Sequence, residues 1–441
     1  MKRILLTFGL IISLLTPLAC VRKNEGGVSD NTGPIKVGVY VDLTGATAGF
    51  GQSTKNGIEL AKDEINANGG INSRQIQLIT EDDQGRPEQA KTVVSKLINQ
   101  DKVHAVLGEV ASTNSLAAAP VAQEAKIPMI TPSSTNPKVT QTGDYIFRVC
   151  FIDPFQGAVM AKFAANSLKA KTAAIFGDVN SDYSKGLTEF FEREFNRLGG
   201  QVIDKQSYAQ QDRDFKAQLT AIRAKNPGVI YVPGYYGEVG IISKQARELG
   251  ITVPILGGDG WDNPEIWNLG GEAMKNTFIS NHYSVDDPSP SIQKFVSAYK
   301  ARFSGTSPDS LAALAYDAMY ILADAIRRAG TTDPTKLRDA IAQTSNFLGV
   351  TGSITINKDR DSVKPAVVLE LDPAGRKFIY KETVQPEGAA AAASPAAAAA
   401  SPAAATASPA MAASPAGSPA SAASPGKNTN SAPGASPAPT K

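Results

Sequence analysis

The chain has 441 residues, with 44 Lys and Arg against 42 Asp and Glu and a formal charge of +2. That length suits two ordinary domains, and the balanced charge excludes the basic excess of a nucleic-acid binder. Two cysteines and two histidines, His104 and His282, leave no donor set for a zinc or iron centre; no metal, no cofactor and no nucleic-acid partner are expected.

The N-terminus MKRILLTFGLIISLLTPLAC sets Lys2 and Arg3 before an apolar run, a secretory signal too short to span a membrane comfortably. Its end, Leu18-Ala19-Cys20, resembles a bacterial lipoprotein signal. That resemblance implies a lipid on Cys20, although Pro17 stands where the pattern has an aliphatic residue. Residues 21–33 read as a flexible polar linker.

From Ile35 the pattern alternates between strand and helix. IKVGVYV is an apolar strand, STKNGIELAKDEINANGG a helix with Ile58, Leu60, Ala61 and Ile65 on one face, and IQLITED the next strand. EQAKTVVSKLINQ, VHAVLG, SLAAAPVAQEAK and IPMIT continue the series, with Pro120 expected to start or bend its helix. Asp82-Asp83 read as a solvated loop, and Cys150 as a small buried hydrophobe. A second series begins at DYIFRVC and runs through TAAIFGD, QVIDKQSY, GVIYVPG and VPILGGD with helices between. Two more helices follow, and two late strand stretches read as hairpins. This predicts an α/β protein of two doubly wound lobes joined by a hinge. From about Ala389 to Lys441 the chain is Ala/Ser/Pro-rich, and it is expected to be a disordered spacer.

Enzyme motifs are weak. Gly45, Gly49 and Gly51 do not make a dinucleotide fingerprint, and no phosphate-binding loop or nucleophile elbow is present. Polar residues instead recur at the carboxyl ends of successive strands, where open α/β sheets bind ligands. They are Ser112 and Thr113; Ser133, Ser134 and Thr135; Asp153; Tyr235 and Tyr236; Asp259 and Trp261. Taken singly, each also reads as a helix cap or turn residue: Ser112 and Asp153 could cap helices, and Asn136-Pro137 could start one. Taken together, hydroxyls and helix starts on one side and acids with aromatics on the other suit a small zwitterion.

The combination of GFGQSTKNGIELAKDEINANGGI, EDDQGRPEQAKTVVSKLI, GEVASTNSLAAAPVAQEAKIPMITPSSTNP, FRVCFIDPFQG and GYYGEVGIISKQARELGITVPILGGDGW resembles the Leu/Ile/Val-type substrate-binding proteins of ABC importers. The likeness spans about 35–387. It implies a type I periplasmic binding protein fold, with a first lobe of 34–149 plus about 281–355 and a second of 150–280 plus about 356–387. It also implies a ligand carboxylate on Ser112, on backbone at Ser133 and Ser134, and on Thr135. The ammonium falls to Asp259, with Thr135 shared between the two groups and Asp153 near the lobe junction. Phe50 and Tyr235 supply aromatic walls, and Trp261 and Phe155 flank the pocket. The stretch 81–111 lacks the cysteine pair of some members, and the tail has no counterpart.

The implied function is a monomeric, lipid-anchored, exported protein that captures an amino acid by hinge closure and passes it to an ABC permease. Alternatives are a urea or short-amide binder, and a sensor subunit without transport.

Overall fold

Strand β1 (Ile35–Val41) buries every residue but Lys36, because it lies inside a parallel sheet covered on both faces. The structure, a computed structural model, describes residues 33–386; the signal, Cys20, nearly all of the linker and the Ala/Ser/Pro tail lie outside the described residues. After β1 the chain alternates through α1 (Ala48–Ala67), β2 (Ile76–Asp82), α2 (Pro87–Asn99), β3 (Ala105–Leu107), α3 (Ser112–Glu124), β4 (Met129–Thr131), α4 (Lys138–Gln141) and β5 (Ile146–Arg148). The strands form one parallel sheet in the order β2-β1-β3-β4-β5.

Helix α5 (Asp153–Lys162) opens a second series: β6 (Thr172–Asp178), α6 (Asp182–Arg197), β7 (Gln201–Tyr208), α7 (Lys216–Lys225), β8 (Val229–Tyr231), α8 (Tyr236–Glu248), β9 (Ile255–Gly257), α9 (Ile266–Gly270) and β10 (Thr277–Asn281). The chain then returns to the first core with α10 (Pro290–Arg302), α11 (Ser310–Ala329) and α12 (Pro334–Ala342). There Leu314, Met319 and Leu322 pack with Ile58 and Ile65 of α1. Gly57 allows that approach, since a Cβ on it would lie 2.1 Å from the Ala312 carbonyl oxygen. Strands β11 (Phe347–Gly349), β12 (Gly352–Ile356) and β13 (Ser362–Val363) form a small antiparallel sheet, and Ile354 and Ile356 join the first core. Strands β14 (Ala366–Asp372) and β15 (Lys377–Val384) finish the second sheet as an antiparallel hairpin on β10, in the order β15-β14-β10-β9-β8-β6-β7.

The chain therefore passes between the two sheets after β5, after β10 and between β13 and β14. This is the two-lobed α/β fold expected from the alternation. Some local expectations change. Pro120 sits inside α3 rather than at its start, and the helix already begins at Ser112. Asp83 is no solvated loop residue. It is wholly buried with Asp42 and Glu109, each of the three lying just past one of the adjacent strands β1, β2 and β3.

Candidate ligand-binding site

On the first-lobe side, the loop after β4 splits its hydroxyls. Ser134 is committed to the fold: its Oγ lies 2.9 Å from the Glu109 carbonyl, 3.0 Å from that of Val110 and 2.7 Å from Ser115 Oγ. Its N–H donates to Thr131 Oγ1 at 2.9 Å. Ser133 and Thr135 differ from Ser134 in this. Both are buried, and among the described residues neither hydroxyl makes a hydrogen bond of ordinary length, although the Thr135 hydroxyl lies near enough to Asp153 to act on its carboxyl. Ser112 does not cap α3 through its side chain; its Oγ accepts the Asn136 N–H at 3.2 Å and ties the β3 and β4 loops together.

On the second-lobe side, Asp259 follows β9 and is held from three directions. Its Oδ1 accepts from Gln156 Nε2 at 2.6 Å and from the Tyr183 hydroxyl at 2.9 Å, and its Oδ2 accepts from His282 Nε2 at 2.9 Å. Burial pushes His282 down to about 4, although Asp259 pulls it back up. The ring is therefore neutral at pH 7 and donates through Nε2–H, lying 3.7 Å from Phe151 in a stack. Asp153 opens α5, and among the described residues neither of its carboxyl oxygens has a hydrogen-bond partner of ordinary length. The cap reading does not describe it. Burial raises its pKa to about 8; the Thr135 hydroxyl works against that, and the Asp259 charge adds to it. The Tyr231 hydroxyl is likewise buried and without a hydrogen-bond partner among the described residues.

Aromatic rings close the remaining sides. Tyr183 and Tyr235 stack at 5.2 Å, and Phe50 meets Tyr235 edge-on at 5.7 Å and Tyr236 at 4.8 Å. Phe50 belongs to the first lobe, so these contacts bridge the cleft, as does the Gly49 N–H donating to the Tyr236 hydroxyl at 3.3 Å. Asp182 adds a polar bridge. Thr113 Oγ1 donates to its carboxylate at 3.1 Å and accepts its N–H at 3.0 Å, and Asn136 Nδ2 donates to its carbonyl at 2.8 Å. Gly186 permits this approach, because a Cβ there would meet Asp153 Oδ2 at 2.7 Å and Asn136 Nδ2 at 3.2 Å. The lobes are closed.

The structure thus brings Phe50, Ser112, Ser133, Thr135, Asp153, Tyr235 and Asp259 around the junction of the lobes. Two candidates stand apart. Ser134, expected to offer its backbone, already gives its N–H to Thr131 Oγ1 and its hydroxyl to backbone carbonyls, and Trp261 is fully buried in the second-lobe core, its indole N–H donating to the Val232 carbonyl at 3.1 Å. Sequence reasoning missed Tyr183, Gln156, His282 and Asp182. Tyr183 and Asp182 follow β6, and His282 follows β10, so the strand-end rule that selected the others reaches these too. Gln156 lies one turn beyond Asp153 on α5.

A family model described as periplasmic binding protein matches residues 34–377. An amino acid binding protein of Pseudomonas aeruginosa is 33% identical over 349 residues, covering 78% of this chain and 91% of its own. Leu/Ile/Val-binding protein homolog 3 of Brucella melitensis is 32% identical over 300 residues, 68% of this chain and 80% of that protein. The solved leucine binding protein LivK of Thermotoga maritima is similar with a TM-score of 0.77 and 42% identity, covering 80% of this chain and 99% of that one. LivJ of Streptococcus pneumoniae, solved in complex with isoleucine, has a TM-score of 0.76 and 34% identity, with coverage of 80% and 100%. Substrate binding without catalysis, in an exported and periplasmic setting, is what these similarities imply. With most of its length matched, the chain belongs to the periplasmic binding protein family.

Proposed function

We propose that the protein captures an α-amino acid between its lobes and delivers it to an ABC permease. One observation carries the reading: a three-donor-braced Asp259 and an open Asp153 share the lobe junction with the unpartnered hydroxyls of Ser133 and Thr135. A carboxylate offers about four acceptor sites. The three donors on Asp259 therefore fix its direction and leave room for one more, suited to an ammonium N–H. Asp153 offers further acceptors beside it. The ligand carboxylate goes to the hydroxyls of Ser112, Ser133 and Thr135 at the carboxyl ends of β3 and β4. Phe50, Tyr235 and Tyr183 cover an apolar side chain. Burying these charges between closed lobes strengthens each paired hydrogen bond. The names of the relatives above, one amino-acid-binding and one Leu/Ile/Val-binding, favour a neutral aliphatic amino acid. A lipid on Cys20 and action as a monomer complete the proposal.

Calorimetry on the full chain, purified in detergent, tests it against leucine, isoleucine, valine, the other amino acids, urea and acetamide. Saturable binding of at least one amino acid, with a melting point that rises with ligand concentration, is the expected outcome. Binding of a neutral amide but of no amino acid would sink the zwitterion reading.

A further inference from the structure

Behind the β4 loop lies a fully buried arginine whose guanidinium is hydrogen-bonded to the loop, Thr140 and Asp361. Arg148, the last residue of β5, aims its guanidinium at the back of the loop. Nη1 donates to the Ser134 carbonyl, and Nη2 donates to the carbonyl of Asn136 at 2.8 Å, to that of Pro137 at 3.4 Å and to Thr140 Oγ1 at 3.1 Å. Nε completes the fork on Asp361 Oδ1 at 2.6 Å, an oxygen that also accepts from Thr140 Oγ1 at 2.8 Å. Asp361 immediately precedes β13, on the last passage of the chain toward β14 and the second sheet. The Arg148 N–H, finally, donates to the Arg360 carbonyl at 3.2 Å.

From this geometry we infer that Arg148, held by Asp361, is a positioning residue that sets the Ser133 and Thr135 hydroxyls for ligand and ties the loop to the crossing strand. The inference rests on the proposed site at that loop. Other bonds hold Ser134 and Asn136 to the neighbouring loops, but α4 behind them has only four residues, and Arg148 is the charged side chain that grips the loop's carbonyls from that side. Arg148 holds the peptide before Thr135 through the Ser134 carbonyl and the one after Asn136 through the Asn136 carbonyl, while the peptide between them is held by the Asp153 N–H on the Thr135 carbonyl at 3.0 Å and by the Asn136 N–H on Ser112. Only a planar, permanently charged fork reaches several carbonyls and a carboxylate at once. Lysine would keep the charge but engage only part of that set.

The test uses the full chain with Arg148→Lys, Asp361→Asn and Thr135→Val, and L-leucine as the probe. Backbone hydrogen exchange over 131–137 should accelerate at least about tenfold in Arg148→Lys while segments of β8 and α8 exchange as in the wild type. Leucine affinity should fall by at least about tenfold, and less when Thr135→Val is already present, because the Thr135 hydroxyl is one of the two that Arg148 sets. Wild-type exchange over 131–137 in a folded Arg148→Lys protein would overturn the inference, as would penalties that simply add. If Arg148→Lys does not fold, the same measurements are made on Asp361→Asn, which keeps size and removes the anchoring charge. Faster exchange over 131–137 then supports the inference, and wild-type exchange overturns it. Should the wild type bind no leucine, the exchange result still decides the positioning role, while the leucine result counts against the functional reading alone.

Discussion

The two walls of the cleft are built on opposite plans. The first-lobe wall presents hydroxyls whose orientation comes from backbone: carbonyls gripped by Arg148, an N–H held by Thr131, and a Ser112 hydroxyl that accepts the Asn136 N–H and keeps its own O–H to donate. The second-lobe wall presents a carboxylate whose orientation comes from side chains, with Gln156, Tyr183 and His282 converging on Asp259. Backbone-set donors suit a group common to all ligands of a class, such as the α-carboxylate. Side-chain-set acceptors and aromatics are changed one residue at a time, which is where selectivity can vary without disturbing the fold.

The largest expected effect breaks the second wall at its centre. Asp259→Ala removes the acceptor and leaves the buried Gln156, Tyr183 and His282 groups without their partner. Truncating one member of a buried charged network costs about 2–5 kcal/mol, so calorimetry should show at least about a thirtyfold loss of amino-acid affinity. Asp153→Ala, with no hydrogen bond of its own to lose, should cost much less. Equal losses would move the ammonium from Asp259 to a site shared with Asp153.

Next in size is the bridge between the walls. Asp182→Ala deletes the carboxylate that Thr113 binds and leaves only backbone contacts at that point. One net hydrogen bond to a charged group is worth about 1.5–3 kcal/mol. Affinity should therefore drop by roughly tenfold or somewhat more through a less populated closed state, with the dissociation rate rising more than the association rate falls. A pure loss of association rate would contradict a closing role.

The pattern of walls was partly legible in the sequence. The strand-helix alternation pointed to Ser112, Thr135, Asp153, Tyr235 and Asp259 as residues at strand ends, because strand ends can be read from apolar runs, and the structure gathers them at the lobe junction. What single-residue reasoning could not supply was the direction of each side chain. Ser134 looked equivalent to its neighbours, yet its hydroxyl turns onto the carbonyls of Glu109 and Val110. Trp261 follows a strand as Tyr235 does, yet it turns into the space beside Gly257, where a Cβ would come within 2.1 Å of the indole. Buried partners distant in sequence, such as Arg148 with Asp361, leave no periodic trace at all.

A smaller effect concerns acids beneath the first wall. Asp83 is pushed up to about 7 by burial and by the Asp42 and Asp82 charges, and Glu109 is raised by burial and by Asp83. A raised carboxyl pKa means the folded state holds protons that the unfolded chain, with Asp near 3.8, gives up first. That contribution is fully present below the unfolded value and is lost as pH rises through about 7. Thermal unfolding should therefore show stability falling from pH 5 to pH 8 in the wild type. Asp83→Asn should flatten that slope and gain on the order of 1 kcal/mol at pH 8. A slope unchanged by the substitution would place the titration elsewhere.

The smallest expected change in affinity belongs to Trp261. Its ring is wholly inside the second-lobe core and its N–H is satisfied by Val232, so it supports the wall without forming the wall's surface. Trp261→Phe removes ring volume and leaves the Val232 carbonyl without that donor, which should lower stability by about 2 kcal/mol. Amino-acid affinity should stay within about threefold of wild type, since a core change felt in both open and closed forms shifts neither relative to the other. A loss beyond about tenfold with the melting point preserved would mean that the indole reaches the ligand. The second wall would then be shaped from its core as well as from its surface.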